Sequence, residues 1–68
     1  MIRVRVDRVT IAPMSTVGIG YGADVETGER VRFAGDHRPM RRLGEALQRC
    51  ERRDELPIAE VPEWAVQE

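Results

Sequence analysis

The chain has 68 residues, of which 41% are hydrophobic and 34% are charged. This composition is typical of a folded domain and not of a disordered segment, and the length predicts one domain with a small core. No apolar run is long enough to span a bilayer, the N-terminus lacks a signal-peptide pattern, and a single cysteine excludes an internal disulfide. We therefore expect one cytoplasmic domain spanning residues 1–68, with no role in a membrane.

The charges are segregated along the chain, although the net charge is only −1. Residues 1–37 balance five arginines against five acidic residues, residues 38–53 carry a charge of +4, and residues 54–68 carry −5. All eleven basic residues are arginine, which a GC-rich genome explains most simply. Compact arginine-rich proteins are common products of mobile genetic elements, and we take such an origin as a hypothesis.

The first segment alternates apolar and charged residues, which is typical of a half-buried strand. Ile2, Val4 and Val6 lie in one phase, and Val9 and Ile11 lie in the other. One extra residue near positions 7 and 8 restores a single apolar face, so we predict a β-bulge there. A loop over residues 12–16 follows, with Met14 exposed at its tip.

Residues 17–35 read as a β-hairpin. A type I turn over residues 25–28, with Gly28 left-handed, sets Asp24 opposite Arg30, Tyr21 opposite Phe33, Ala23 opposite Val31 and Gly22 opposite Arg32. Gly18, Gly20 and Gly22, which we call the glycine strip, then lie away from the core. Glycines on a strand often mark a close approach by another group. This register predicts a flat trough, with Arg3 and Arg5 on one side and Arg30 and Arg32 on the other.

The second half predicts a helix followed by an extended tail. Met40, Leu43, Leu47 and Cys50 recur at spacings of three and four residues, which indicates an amphipathic helix over 39–53, with pairs Arg41–Glu45 and Glu45–Arg49. In the acidic tail, 54–68, Pro57 and Pro62 leave an edge strand, a polyproline-like segment or a final turn open. The predicted fold class is α+β: a three-stranded antiparallel β-meander over 2–35, one helix packed on it, and an extended C-terminal segment. The expected core is Val4, Val6, Ile19, Tyr21, Val31, Phe33, Met40, Leu43 and Leu47.

Enzymatic chemistry is not indicated. Residues 18–23 fit the loose dinucleotide pattern G-x-G-x-x-A, but a turn and a strand follow the glycines where that motif needs a helix. His37 is the only histidine, Ser15 has no evident base, and Cys50 lies on the helix stripe, where thiols are usually inert. We therefore expect no catalytic residues, no metal, no cofactor and no small-molecule substrate.

Two binding functions remain. The first is a non-enzymatic protein-interaction or regulatory module acting through a protein partner or a homodimer, because Trp and Arg are frequent interface anchors. The second is nucleic-acid binding by arginines on the sheet and helix, in the manner of β-sheet readers of DNA. Trp64 docked over the glycine strip of its own domain is a third arrangement. The candidate binding residues are Arg3, Arg5, Gly18, Gly20, Gly22, Arg30, Arg32, Arg38, Arg42 and Trp64.

The stretch GERVRFAGDHRPMRRLGEAL, residues 28–47, carries a topological resemblance. A meander followed by a helix is similar to the order of elements in AP2-type and integrase arm-binding domains, and no diagnostic motif of either family is present. The resemblance implies DNA binding through the sheet.

Overall fold

The computed structural model describes residues 1–67, so Glu68 at the end of the predicted tail lies outside the described part. These residues form one antiparallel sheet, one α-helix and a short 3-10 turn. The elements are β1 (Ile2–Ile11), β2 (Val17–Asp24), β3 (Arg30–Asp36), α1 (His37–Glu51), β4 (Ile58–Val61), the 3-10 turn (Glu63–Ala65) and β5 (Val66–Gln67). The α+β class and the central meander are confirmed.

The described sheet has five strands, not three, because the tail adds a strand at each edge. The strand order is β4-β1-β2-β3-β5. In β4, Val61 pairs with Ile2, and in β5, Val66 pairs with Phe33. The two prolines flank β4, which is an edge strand where a missing amide donor is tolerated. The tail thus contains both an edge strand and a final turn, two of the options that its sequence left open.

The link between β4 and β5 requires a curved sheet. Only residues 62–65 join these two strands, although they lie at opposite edges. In a flat sheet the two edges would be about 19 Å apart. Four linking residues that include a 3-10 turn are too short to span that distance, since the turn shortens the chain and the ends of β4 and β5 are also displaced along the strand direction. The sheet therefore curls around its inner face, which we define as the face toward α1, and the tail crosses that face.

The bulge in β1 is confirmed. Val6 pairs with Gly22 and Arg8 pairs with Tyr21, so Asp7 is the extra residue. Val4 and Val6 before the bulge are fully buried, and Val9 and Ile11 after it pack against the same core. The bulge therefore keeps a ten-residue strand apolar on one face, as its sequence pattern predicts.

The predicted hairpin register is wrong by one residue. Ala23, not Asp24, pairs with Arg30, and Gly20, not Tyr21, pairs with Phe33. The Oδ1 atom of Asp24 accepts hydrogen bonds from the backbone N–H groups of Glu26 and Thr27, at 2.8 and 3.4 Å. The backbone N–H of Asp24 donates to the carbonyl of Glu29 at 2.9 Å, which closes a four-residue loop over 25–28, so Asp24 does not face Arg30. Gly28 is left-handed, with a φ of 77°, as predicted.

This register turns the glycine strip toward the core, because a one-residue shift exchanges the two faces of a strand. Ile19 and Tyr21, predicted to be core, lie half-buried on the outer face, so this part of the prediction is wrong. The remaining core prediction is confirmed: Val4, Val6, Phe33, Met40 and Leu47 are buried, and Val31 and Leu43 pack partly buried beside the core.

Helix α1 starts and ends two residues earlier than the predicted 39–53. Asp36, at the N-cap position, is extended, and Pro39 lies in the first turn, where its missing N–H leaves no helical hydrogen bond unmade. The helix packs mainly on β1 and β2 and makes fewer contacts with β3. The β3 side of the inner face is covered by the tail instead, and a groove lies between the two coverings.

Candidate functional site

The predicted binding residues fall in three separate places. Arg3, Arg5, Arg30 and Arg32 lie on the outer face of the sheet, and the glycine strip lies on the inner face. Arg38, Arg42 and Trp64 lie outside the sheet, the arginines on α1 and the tryptophan on the 3-10 turn. The trough that was to combine the glycines with the sheet arginines is therefore absent from the described residues.

The glycine strip is filled by side chains of the same domain. A Cβ atom on Gly20 would overlap the ring of Phe33, and one on Gly18 would lie 2.8 Å from the Cβ of Met40. At Gly22 the nearest group is the backbone carbonyl of Arg5, so a different part of the same domain approaches each of the three glycines. Trp64 is 87% exposed and does not cover the strip, so the arrangement with Trp64 docked there is not the one found.

The outer arginine face consists of side chains from the two strands that flank β2. Across the sheet, Arg8, Tyr21 and Arg32 stand in one row. The Arg8 guanidinium lies 5.3 Å from the centroid of the Tyr21 ring, which is a cation–π contact. The described residues place no helix over this face. Its members are Arg3, Arg5, Arg8, Arg30 and Arg32.

Asp7 neutralises part of the outer arginine face. Its Oδ2 atom lies 2.6 Å from Nη1 of Arg30, and its Oδ1 atom lies 3.3 Å from Nη2, so the pair is bidentate. The hydrogen bond from Arg30 holds the pKa of the Asp7 carboxyl below its ordinary value of 3.8. The pair therefore stabilises the fold above that pH and loses its effect as the pH falls through the lowered pKa. Both side chains are substantially exposed, which keeps that effect small.

Trp64 projects from the 3-10 turn because its neighbours occupy the inward positions. Val61 is 2% exposed and Ala65 is 7% exposed, and both belong to the hydrophobic core. Trp64 lies between these two anchors and points away from the core. The largest side chain of the molecule is therefore held at the surface by a segment that is itself well anchored.

Beside Trp64 lies a groove of about 560 Å³ between α1 and the C-terminal segment. Buried apolar residues form its floor: Phe33, Met40, Val61 and Ala65. The helix wall carries Leu43 and Ala46 below, with Arg42 and Arg49 at the rim, and the opposite wall carries Pro62 and Trp64. Of the predicted binding residues, the groove brings together Arg42 and Trp64.

Arg49 is a groove residue that sequence reasoning did not select. It lies two helical turns from Arg42, and this spacing is the signal that places both on one helix face. The sequence suggested that Glu45 pairs with both Arg41 and Arg49, but Glu45 pairs with Arg41, at 3.9 Å. Within residues 1–67, neither Arg42 nor Arg49 has an ion-pair partner.

No known protein family, curated protein or solved structure matches this chain. The groove and the outer arginine face therefore have to be interpreted from their own chemistry.

Groups that could act in catalysis or hold a metal are dispersed. The Ser15 hydroxyl donates to the carbonyl of Val17 and accepts from its N–H, at 3.0 and 3.1 Å. Cys50 is partly buried near the end of α1, and His37 is its first residue. Within residues 1–67, no three His, Cys, Asp or Glu side chains come together as a metal site would require, and no helix is long and apolar enough to cross a membrane.

Proposed function

We propose that this chain is a non-enzymatic protein-interaction or regulatory module and that the groove is its binding site. The observation that carries the proposal is the 87% exposure of Trp64 at the edge of an apolar groove. Exposed tryptophans beside apolar surface are frequent anchors of protein interfaces, because burying the indole on binding removes a large apolar area from water. The lone cysteine fits a reducing compartment, and we place the module in the cytoplasm.

The groove has the layout of an interface core with a polar rim. Apolar residues form the floor, and Arg42 and Arg49 stand at the edge, where they can exchange water for a partner's acceptors. Arginine is well suited to this position because its planar fork binds carboxylates with two parallel hydrogen bonds. The same region offers no nucleophile paired with a base, which supports a binding role over a catalytic one.

Replacing Trp64 by Ala is expected to remove binding while leaving the fold intact, because the side chain is already in water in the unbound chain. The measurement is affinity chromatography in which each variant is immobilised on a column. A host extract and, separately, the same protein free in solution are applied, and the amount of protein that each variant retains is compared. A truncated hot-spot tryptophan costs about 2 kcal/mol or more, at least a 30-fold loss of affinity.

Met14→Ala is the matched control, because Met14 is equally exposed but lies in the loop between β1 and β2. This variant should retain what the unaltered chain retains. Equal retention by the Trp64→Ala and unaltered chains would contradict the proposal.

Nucleic-acid binding by the outer arginine face is the second candidate, and it is favoured by five arginines on one uncovered sheet face. If it holds, affinity for duplex DNA falls steeply with salt, because each phosphate contact releases counterions. Arg3→Ala with Arg5→Ala should then weaken binding and lower the salt slope by about two. Absence of any binding to duplex or single-stranded DNA at low salt would rule this candidate out. We rank it second because Asp7 already occupies Arg30 and Glu60 stands beside Arg3 in the sheet.

A further inference from the structure

We propose that the occupant of the groove is a second copy of this chain, docked about a two-fold axis so that each Trp64 enters the groove of the other copy. This inference rests on the proposed function and names its partner. A single chain therefore has an incomplete site, because the indole that covers its groove floor comes from the second copy.

Charge complementarity argues for a second copy. The helix wall carries Arg42 and Arg49, and Asp36 lines the groove at the start of that wall. The acidic residue at the opposite wall is Glu63, which precedes Trp64 and whose Oε1 atom lies 3.8 Å from the N-terminal amino group. A two-fold axis brings the helix wall of each copy against the tail wall of the other, since contacts across such an axis are reciprocal. Both contacts then join opposite charges. A purely acidic peptide would match the helix wall but would face the carboxylate of Glu63 on the tail wall.

The apolar surfaces are also complementary. Trp64 stands at the edge of its own groove on a turn fixed by Val61 and Ala65, so it does not fill the floor beside it. The two indoles together would bury about 300–500 Å² of side-chain surface. A standard interface needs about 800 Å² from each partner, roughly a sixth of the 5153 Å² surface of this chain. The groove, its rims and the adjacent tail together can supply this buried area.

Pairing through strand edges, the other route to a dimer, has only short lengths of strand available. At the first half of β1, β4 already pairs with Ile2–Arg5 and occupies the position that a second copy would take. At the opposite edge, β5 is only two residues long. Short edge strands and flanking prolines are the usual means by which proteins prevent such addition. The groove is thus the better surface for self-association.

The test is sedimentation equilibrium of charge-reversed variants, up to about 1 mM chain. The unaltered chain should dimerise. Arg42→Glu and Glu63→Arg should each weaken self-association by about tenfold or more, because each places like charges across both contacts. An equimolar mixture of the two variants should recover dimers, since each reversed wall then meets a wall of opposite charge. Glu26→Arg, the same change in the exposed β2–β3 loop, is the control and should leave the dimer unchanged.

A chain that stays monomeric up to about 1 mM, or a mixture that does not recover dimers, would overturn the inference. The proposed function fails separately. Suppose that the chain is monomeric but that, in the affinity chromatography, the Trp64→Ala variant no longer retains a protein that the Met14→Ala variant retains. The groove then binds a different protein, and only the inference of a dimer is refuted. If the Trp64→Ala variant retains the same proteins as the unaltered chain, the proposed function is refuted as well.

Discussion

Replacing Gly22 by Ala is expected to remove a large share of the stability of the domain. A Cβ atom at this position would overlap the carbonyl oxygen of Arg5 and lie 2.9 Å from Cγ1 of Val4. Because the obstacle is mainly backbone, relief requires the β1–β2 ladder to move, which costs about 3 kcal/mol or more. A domain of this length has a total stability of roughly 3–10 kcal/mol. Urea unfolding followed by circular dichroism measures the loss.

Gly44→Ala is the matched control for this substitution. Gly44 lies inside α1, and a Cβ there would have only ordinary contacts with Val9, at 3.8 and 3.9 Å. Alanine is favoured over glycine inside a helix by about 1 kcal/mol, so this variant should be more stable than the unaltered chain. A Gly22→Ala variant as stable as the unaltered chain would contradict the observed register, because the predicted register turns Gly22 away from the core.

Replacing Phe33 by Ala is expected to cost about 3–5 kcal/mol. Phe33 is 4% exposed, its ring covers Gly20, and it forms part of the groove floor. Its removal leaves bare backbone next to an empty volume. The free energy of unfolding from urea titration measures the effect, and the Gly44→Ala background, which is about 1 kcal/mol more stable, offsets part of the loss.

A double-mutant cycle with Gly20→Ala isolates the contact between the ring and the glycine. With Phe33 present, the added methyl group displaces the ring. With Ala at position 33, the methyl group enters vacated space and costs less. We expect a coupling energy of at least about 1 kcal/mol. Additive effects of the two substitutions would contradict the packing of Phe33 on Gly20.

Local patterns predicted the elements that depend on local physics. The alternation in β1, its bulge at Asp7, the apolar stripe of α1 and the left-handed Gly28 all follow from neighbouring residues. The hairpin register did not, because three-residue and four-residue loops suit the same turn residues. The side chain of Asp24, which caps the loop, is consistent with the four-residue choice. In the resulting register the side chains of Phe33 and Met40 lie against glycines of β2, which have no side chain to occupy that space.

The site was predictable only in part. Arg42 and Trp64 were chosen from residue type, and the structure places both on the groove. The groove itself depends on where the tail crosses the inner face, and β4 and β5 exist only through pairing with strands distant in sequence. No local pattern encodes that placement. The outer arginine face, by contrast, follows from alternation alone, because Arg3 and Arg5 face away from Val4 and Val6 in any register.

The most direct test of the central claim is the fluorescence of Trp64, the only tryptophan in the chain, measured as the concentration of chain is raised. At low concentration the exposed indole should emit at long wavelength and be quenched readily by acrylamide. As dimers form, the emission should shift to shorter wavelength and quenching should fall, with a midpoint that matches sedimentation. A Trp64 that stays equally exposed to quencher up to about 1 mM would contradict its burial in the groove of a second copy.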